Sequence, residues 1–145
     1  MKKIEMANLY ESLAAMKSDM ISSNTLSCML KNTYYARKCK KEIDECKSSL
    51  IAQATDKERE AEKICFAVTK KIQENKDYKP TDEEMNANEV MIRWEQAFND
   101  AVNEIGNVEC EDELCKISDE DFIKLALNSS LSFGLLEHLQ EILVK

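Results

Sequence analysis

The chain has 145 residues, 43% apolar and 33% charged, with a formal net charge of −8. That length fits one ordinary domain with a real core, and the scarcity of turn residues, two Gly and one Pro, favours helices joined by short loops over a sheet. No run approaches the ~20 apolar residues that span a bilayer, and Glu5, Asn8, Glu11, Lys17 and Asp19 interrupt any secretory leader, so a soluble, cytoplasmic protein with no membrane partner is expected.

Apolar residues at Met6, Leu9, Tyr10, Leu13, Met16 and Met20 recur at helical steps, predicting a first helix over 3–22. Its methionines suit a core, and also an adaptable groove. Ser22, Ser23 and Asn24 read as a short turn, with Asn24 or Thr25 capping the next helix.

The organising stretch is 25–73. Ala36, Cys39, Ile43, Cys46, Leu50 and Ala54 succeed one another at steps of three and four, and the stripe resumes at Ala61, Ile64 or Cys65, Val68 and Ile72. One unbroken helix here would reach about 70 Å at ~1.5 Å per residue, too long to bury its stripe without other helices or a second chain. Thr55 with Glu58 has the form of a capping box, which would end one helix and start another. The lack of Gly or Pro favours a rod or kinked rod instead.

The same stretch carries a basic block, with Lys31, Tyr34, Tyr35, Arg37, Lys38, Lys40 and Lys41 as its candidate ligand- or partner-binding residues. Cations beside aromatic rings can hold phosphates and stack bases. Glu42, Asp44 and Glu45 come immediately after, so a solvated face, or docking on acidic parts of the chain, competes with that reading. Charge is uneven along the chain: residues 1–72 hold 14 Lys/Arg and 10 Asp/Glu, giving +4, and residues 73–145 hold 6 and 18, giving −12.

Pro80 closes the preceding helix. Thr81 with Glu84 caps the next, whose stripe runs through Ala87, Val90 or Met91, Trp94, Ala97 or Phe98, Ala101 or Val102, and Ile105. Trp94 and Phe98 are its largest apolar residues, expected as core anchors and, alternatively, as an interface. Gly106 is placed at C′. The acidic stretch after it offers at most short strands near Val108–Cys110 and Cys115–Ile117. Ser118 opens a further helix and Ser132 a last one, a C-terminal hairpin in which Gly134 would permit close approach of another helix and His138 faces solvent.

Of six cysteines, Cys39 and Cys46 lie about 10 Å apart along one helix, too far to bridge. The set reads as thiols acting as small core hydrophobes. Cys110 and Cys115 resemble half of a metal site, but His138 is the only histidine and the other ligands are lacking. With no phosphate loop and no nucleophile elbow either, neither an enzyme nor a metal or cofactor is expected.

Lys31-Asn32, a long charged helix-forming run and then Leu50-Ile51, behind a short amphipathic helix, form one recognisable pattern. Residues 97–145 form another: a helix closing on Glu109, Glu111 and Glu113, then Lys116-Ile117, an acidic cap and a Leu-rich final helix. Together these resemble small helical proteins of tailed phages and prophages over about half the chain. The chain departs from them at 55–79, where those proteins carry a Gly-containing turn. The resemblance implies a phage or prophage origin, a helical fold and a place in the host cytoplasm, and it transfers no catalytic residue.

The expectation is therefore an all-α single domain, 1–145, of about five helices organised on one long or kinked helix. Its function would be protein–protein binding, as an inhibitor of a host or defence protein or as an assembly accessory, with self-association expected. The alternatives are binding of an anionic nucleotide or nucleic acid on the basic face, and a structural oligomer.

Overall fold

A computed structural model describes all residues, Met1–Lys145. The fold is all-α. Its helices are α1 (Lys3–Asn8), α2 (Tyr10–Ala15), α3 (Ser23–Ala52), α4 (Asp56–Glu74), α5 (Asp82–Gly106), α6 (Asp119–Leu127) and α7 (Phe133–Leu143). The chain clusters into two units, Met1–Ile43 with Ile105–Lys145, and Asp44–Glu104.

In the first unit α1 and α2 make one helix bent at Leu9, whose N–H bonds to the Met6 carbonyl while its own carbonyl accepts from Leu13. Met6, Leu9, Leu13 and Met16 are buried as their spacing requires, so these methionines belong to the core. The helix ends at Ala15, where Met16 turns extended. The expected extension to residue 22 therefore fails, and Met20 lies outside the stripe at 76% exposure.

Helix α3 is capped earlier than expected, by Ser22, whose Oγ accepts from the Thr25 N–H at 3.2 Å. Its buried side is Thr25, Met29, Asn32, Ala36, Cys39 and Ile43, alternating steps of four and three. Met6, Leu13, Ile117, Leu125, Leu139 and Leu143 are fully buried in the same unit, each contributing about 1.5–3 kcal/mol of transfer free energy.

Ser118 and Ser132 accept from the N–H groups of Asp121 and Leu135, opening α6 and α7 as their sequence requires. At the two candidate strand segments only isolated bridges form. Lys2 pairs antiparallel with Glu109, and Ile117 pairs parallel with Val144.

Two glycine assignments change. Gly106 is the last residue of α5 rather than a left-handed C′ residue, and no glycine has positive φ. It is needed because Ile4 lies against it: an added Cβ would meet the Ile4 Cβ at 3.1 Å. Gly134 has nothing within 4 Å of such a Cβ, so no helix approaches it.

The long stretch 25–73 resolves into two helices, and the break between them lies in the second unit. The unbroken rod is corrected by the capping box: the Glu58 N–H donates to Thr55 Oγ1 (3.2 Å) and the Thr55 N–H to Glu58 Oε1 (2.9 Å). Helix α3 ends without Gly because Arg59 donates back to the Ala52 carbonyl at 3.2 Å, satisfying one of the acceptors that a helix end leaves open. Helix α5 starts on the expected box, with Glu84 N–H on Thr81 Oγ1 and Thr81 N–H on Glu84 Oε1. Glu84 also accepts from Tyr78 and faces Lys71 Nζ at 3.6 Å. Tyr78 and the Thr81 N–H hold its carboxyl down to about 2.

Candidate functional site

The two units bury their apolar residues unequally. Within Asp44–Glu104 the only buried apolar side chains are Ala61 and Ala87. Phe66 (65%), Ile51 (57%), Ile92 (54%), Met85 and Ile72 are exposed there. The amphipathic stripes of α4 and α5 thus form, but they are wider than their neighbours cover.

The end of α3, the start of α4 and the middle of α5 enclose a groove of about 420 Å³. Ile51, Ala54, Met91 and Trp94 supply its apolar side, and Glu58 and Glu62 its charged side. Arg59 also reaches it, but that guanidinium is tied to the Ala52 carbonyl. Trp94, half-buried, stacks on Phe98 with ring centroids 5.1 Å apart and planes 26° from parallel. Trp94 is therefore held as a rigid wall of the groove, with Phe98 behind it. The groove's chemistry is apolar contact beside carboxylates.

The basic block of α3 is distributed differently. Lys31, Tyr34, Arg37, Lys38 and Lys41 are exposed, while Tyr35 and Lys40 are half-buried. Arg37 sits over the Tyr34 ring at 5.9 Å, and Tyr34 meets Tyr35 edge-on at 6.0 Å. Lys38 pairs with Asp112 at 3.6 Å, and Lys40 and Lys41 make contacts of their own. The block is brought together on one helix, with part of its charge used inside the protein.

The cysteines depart from the all-thiol expectation. Cys28 and Cys115 form a disulfide with Cα atoms 5.2 Å apart. Cys39, Cys46, Cys65 and Cys110 are free, and Cys39 Sγ lies 3.7 Å from Cys110 Sγ. Burial, then the contact with Cys110, pushes the Cys39 thiol up to about 11. Asn32, fully buried, locks the same segment. Its Nδ2 donates to the Cys115 carbonyl (2.9 Å), and its Oδ1 accepts from the Cys115 N–H (2.8 Å).

Trp94 and Phe98, expected first as core anchors, are both only half-buried, and Ile51, Phe66 and Ile92 were not singled out by sequence reasoning. The signal was present as adjacent apolar pairs, Cys65-Phe66 and Met91-Ile92, which broaden a stripe beyond one helix face.

No protein-family model, curated protein or solved structure matches the chain. No helix is long and apolar enough to cross a membrane.

Proposed function

We propose that the chain works by binding another protein through the second unit, taking an amphipathic helix into the Trp94 groove. The supporting observation is the exposure of Phe66, Ile51 and Ile92 in a unit whose buried apolar residues are Ala61 and Ala87 alone. A small ligand could fill the groove but would leave Phe66 and Ile92 uncovered, since neither lines it. Glu58 and Glu62 beside the apolar wall match a helix with basic residues flanking its apolar stripe. A small phage-type protein, acting either on a host or defence protein or as an assembly accessory, fits this use.

The test is capture of a partner by the intact chain, compared with the double variant Ile51→Ser, Ile92→Ser. Both positions are exposed, so helicity by circular dichroism stays unchanged while the bound protein is lost. Salt weakens capture because the flanking contacts are ionic. Equal capture by both proteins overturns the reading. A dimer seen by light scattering and dissolved by the same substitutions also overturns it, in favour of a structural oligomer.

A second reading, an anionic nucleotide or strand on α3, rests on the exposed Tyr34 with Arg37 over its ring. It requires salt-sensitive thermal stabilisation by a nucleotide panel, and no shift across the panel removes it.

A further inference from the structure

The two cysteine pairs of the first unit share one geometry. Cys28 and Cys39 are eleven residues apart on α3, three turns and about 16 Å along its axis at ~1.5 Å per residue. Cys115 and Cys110 are five residues apart in the non-helical 107–117 segment, about 16 Å when extended at ~3.3 Å per residue. The spacings agree, and the segment runs antiparallel to the helix, so Cys115 meets Cys28 and Cys110 meets Cys39. One pair is bonded. The other is two free thiols in contact, beside a cavity of about 120 Å³ lined by Lys3, Lys38, Cys39, Glu42, Cys110 and Asp112.

We propose that Cys39 and Cys110 are an oxidation site for a small hydroperoxide, closing a second cross-link between α3 and the 107–117 segment. Cys110 is half-buried and Cys39 is buried, so Cys110 is the more accessible thiol and meets the oxidant. Its thiolate attacks one peroxide oxygen, the O–O bond breaks, and water (or an alcohol) leaves, giving a sulfenic acid on Cys110. The Cys39 sulfur attacks the Cys110 sulfur, the S–O bond breaks, and water departs with the Cys39 proton. Two thiols lose two electrons in total and one hydroperoxide gains them. Cys39, buried and 3.7 Å from Cys110 Sγ, is reached by the sulfenic acid and not by the peroxide, which makes it the resolving sulfur. Closing a bond of about 2.05 Å from the present contact takes a side-chain movement under about 2 Å.

The experiment is treatment of the intact, folded protein with one equivalent of hydrogen peroxide, followed by thiol counting and peptide mapping. Free thiols fall from four, the number present before treatment, to the pair Cys46 and Cys65, and the new cross-linked peptide joins Cys39 to Cys110. Cys110→Ser forms no new cross-link. Cys39→Ser leaves Cys110 as a sulfenic acid that a cyclic diketone traps. Retention of all four thiols overturns the proposal. So does a cross-link through Cys46 or Cys65, a bond between chains, or loss of the same thiol pair in Cys110→Ser. The wild-type peptide map decides the matter alone where a variant fails to fold.

Discussion

Asn32 sits at a core position of α3 and does the work of a strand neighbour. Its side-chain amide meets both backbone groups of Cys115, as a paired residue in a ladder would. Asn32→Ala removes both bonds and strands two part-buried partners, which costs about 2–6 kcal/mol at roughly 1–3 per unsatisfied group. Asn32→Asp loses the donor and sets a charge against the Cys115 carbonyl, so it is no milder. Denaturant midpoints for the two variants check this, and an Asp variant as stable as wild type would contradict the assigned amide orientation.

A second polar cluster sets the acid response. Asp121, buried, accepts from Thr25 Oγ1 (2.6 Å) and from Ser22 Oγ and N–H (2.9 and 3.2 Å). Those bonds, Thr25 first, hold its carboxyl down to about 2 from the usual 3.8. The unfolded chain therefore takes up this proton at higher pH than the folded one does. The stabilisation is complete above about pH 4 and is lost as pH falls towards about 2. Asp121→Asn is less stable than wild type at neutral pH, and the gap in melting temperature narrows between about pH 4 and 2. A gap that stays constant over that window would show that the carboxylate charge is not what these donors stabilise. Neither cluster was legible in the sequence, because each joins residues more than eighty positions apart whose partners depend on tertiary register.

At the scale of elements, the local code was readable and the long-range one was not. Thr55/Glu58, Thr81/Glu84, Ser118 and Ser132 all act as their spacing requires. The lack of Gly at residues 53–55 misled, since a helix end can be closed by a side chain, here Arg59, from the succeeding helix. The same blindness affected the glycines, whose value depends on what stands opposite. Gly106→Ala presses a Cβ against the branched carbon of Ile4, and that overpacking, about 1–3 kcal/mol, outweighs the roughly 0.5–1 kcal/mol gained by removing glycine's freedom, so stability falls. Gly134→Ala meets open space in the first turn of α7 and raises stability by about 0.5–1 kcal/mol. Thermal unfolding of the two variants should move in opposite directions.

Across the whole molecule, the buried apolar side chains gather in one unit, while both units leave large ones exposed: Met20, Leu30, Leu127 and Phe133 in the first, Ile51, Phe66 and Ile92 in the second. Met6, Leu13, Ile117, Leu125, Leu139 and Leu143 give the first unit a closed core. The second has well-formed helices around a thin one, with Ala61 and Ala87 where larger residues would be expected. This contrast was half-visible in the sequence. The stripes of α4 and α5 were plain, but whether a stripe is covered depends on neighbours that periodicity does not name.

Trp94 is the chain's only tryptophan, and it forms the wall of the groove. The protein therefore carries its own optical probe at the candidate site, with no other indole to dilute the signal. Its ring is half-buried and stacked on Phe98, so water still reaches it. A partner helix that displaces that water moves the emission to shorter wavelength and shields it from iodide quenching. Ile51→Ser, Ile92→Ser abolishes both changes. Binding can then be titrated on the unlabelled chain, and emission unchanged by a bound partner would place the contact elsewhere.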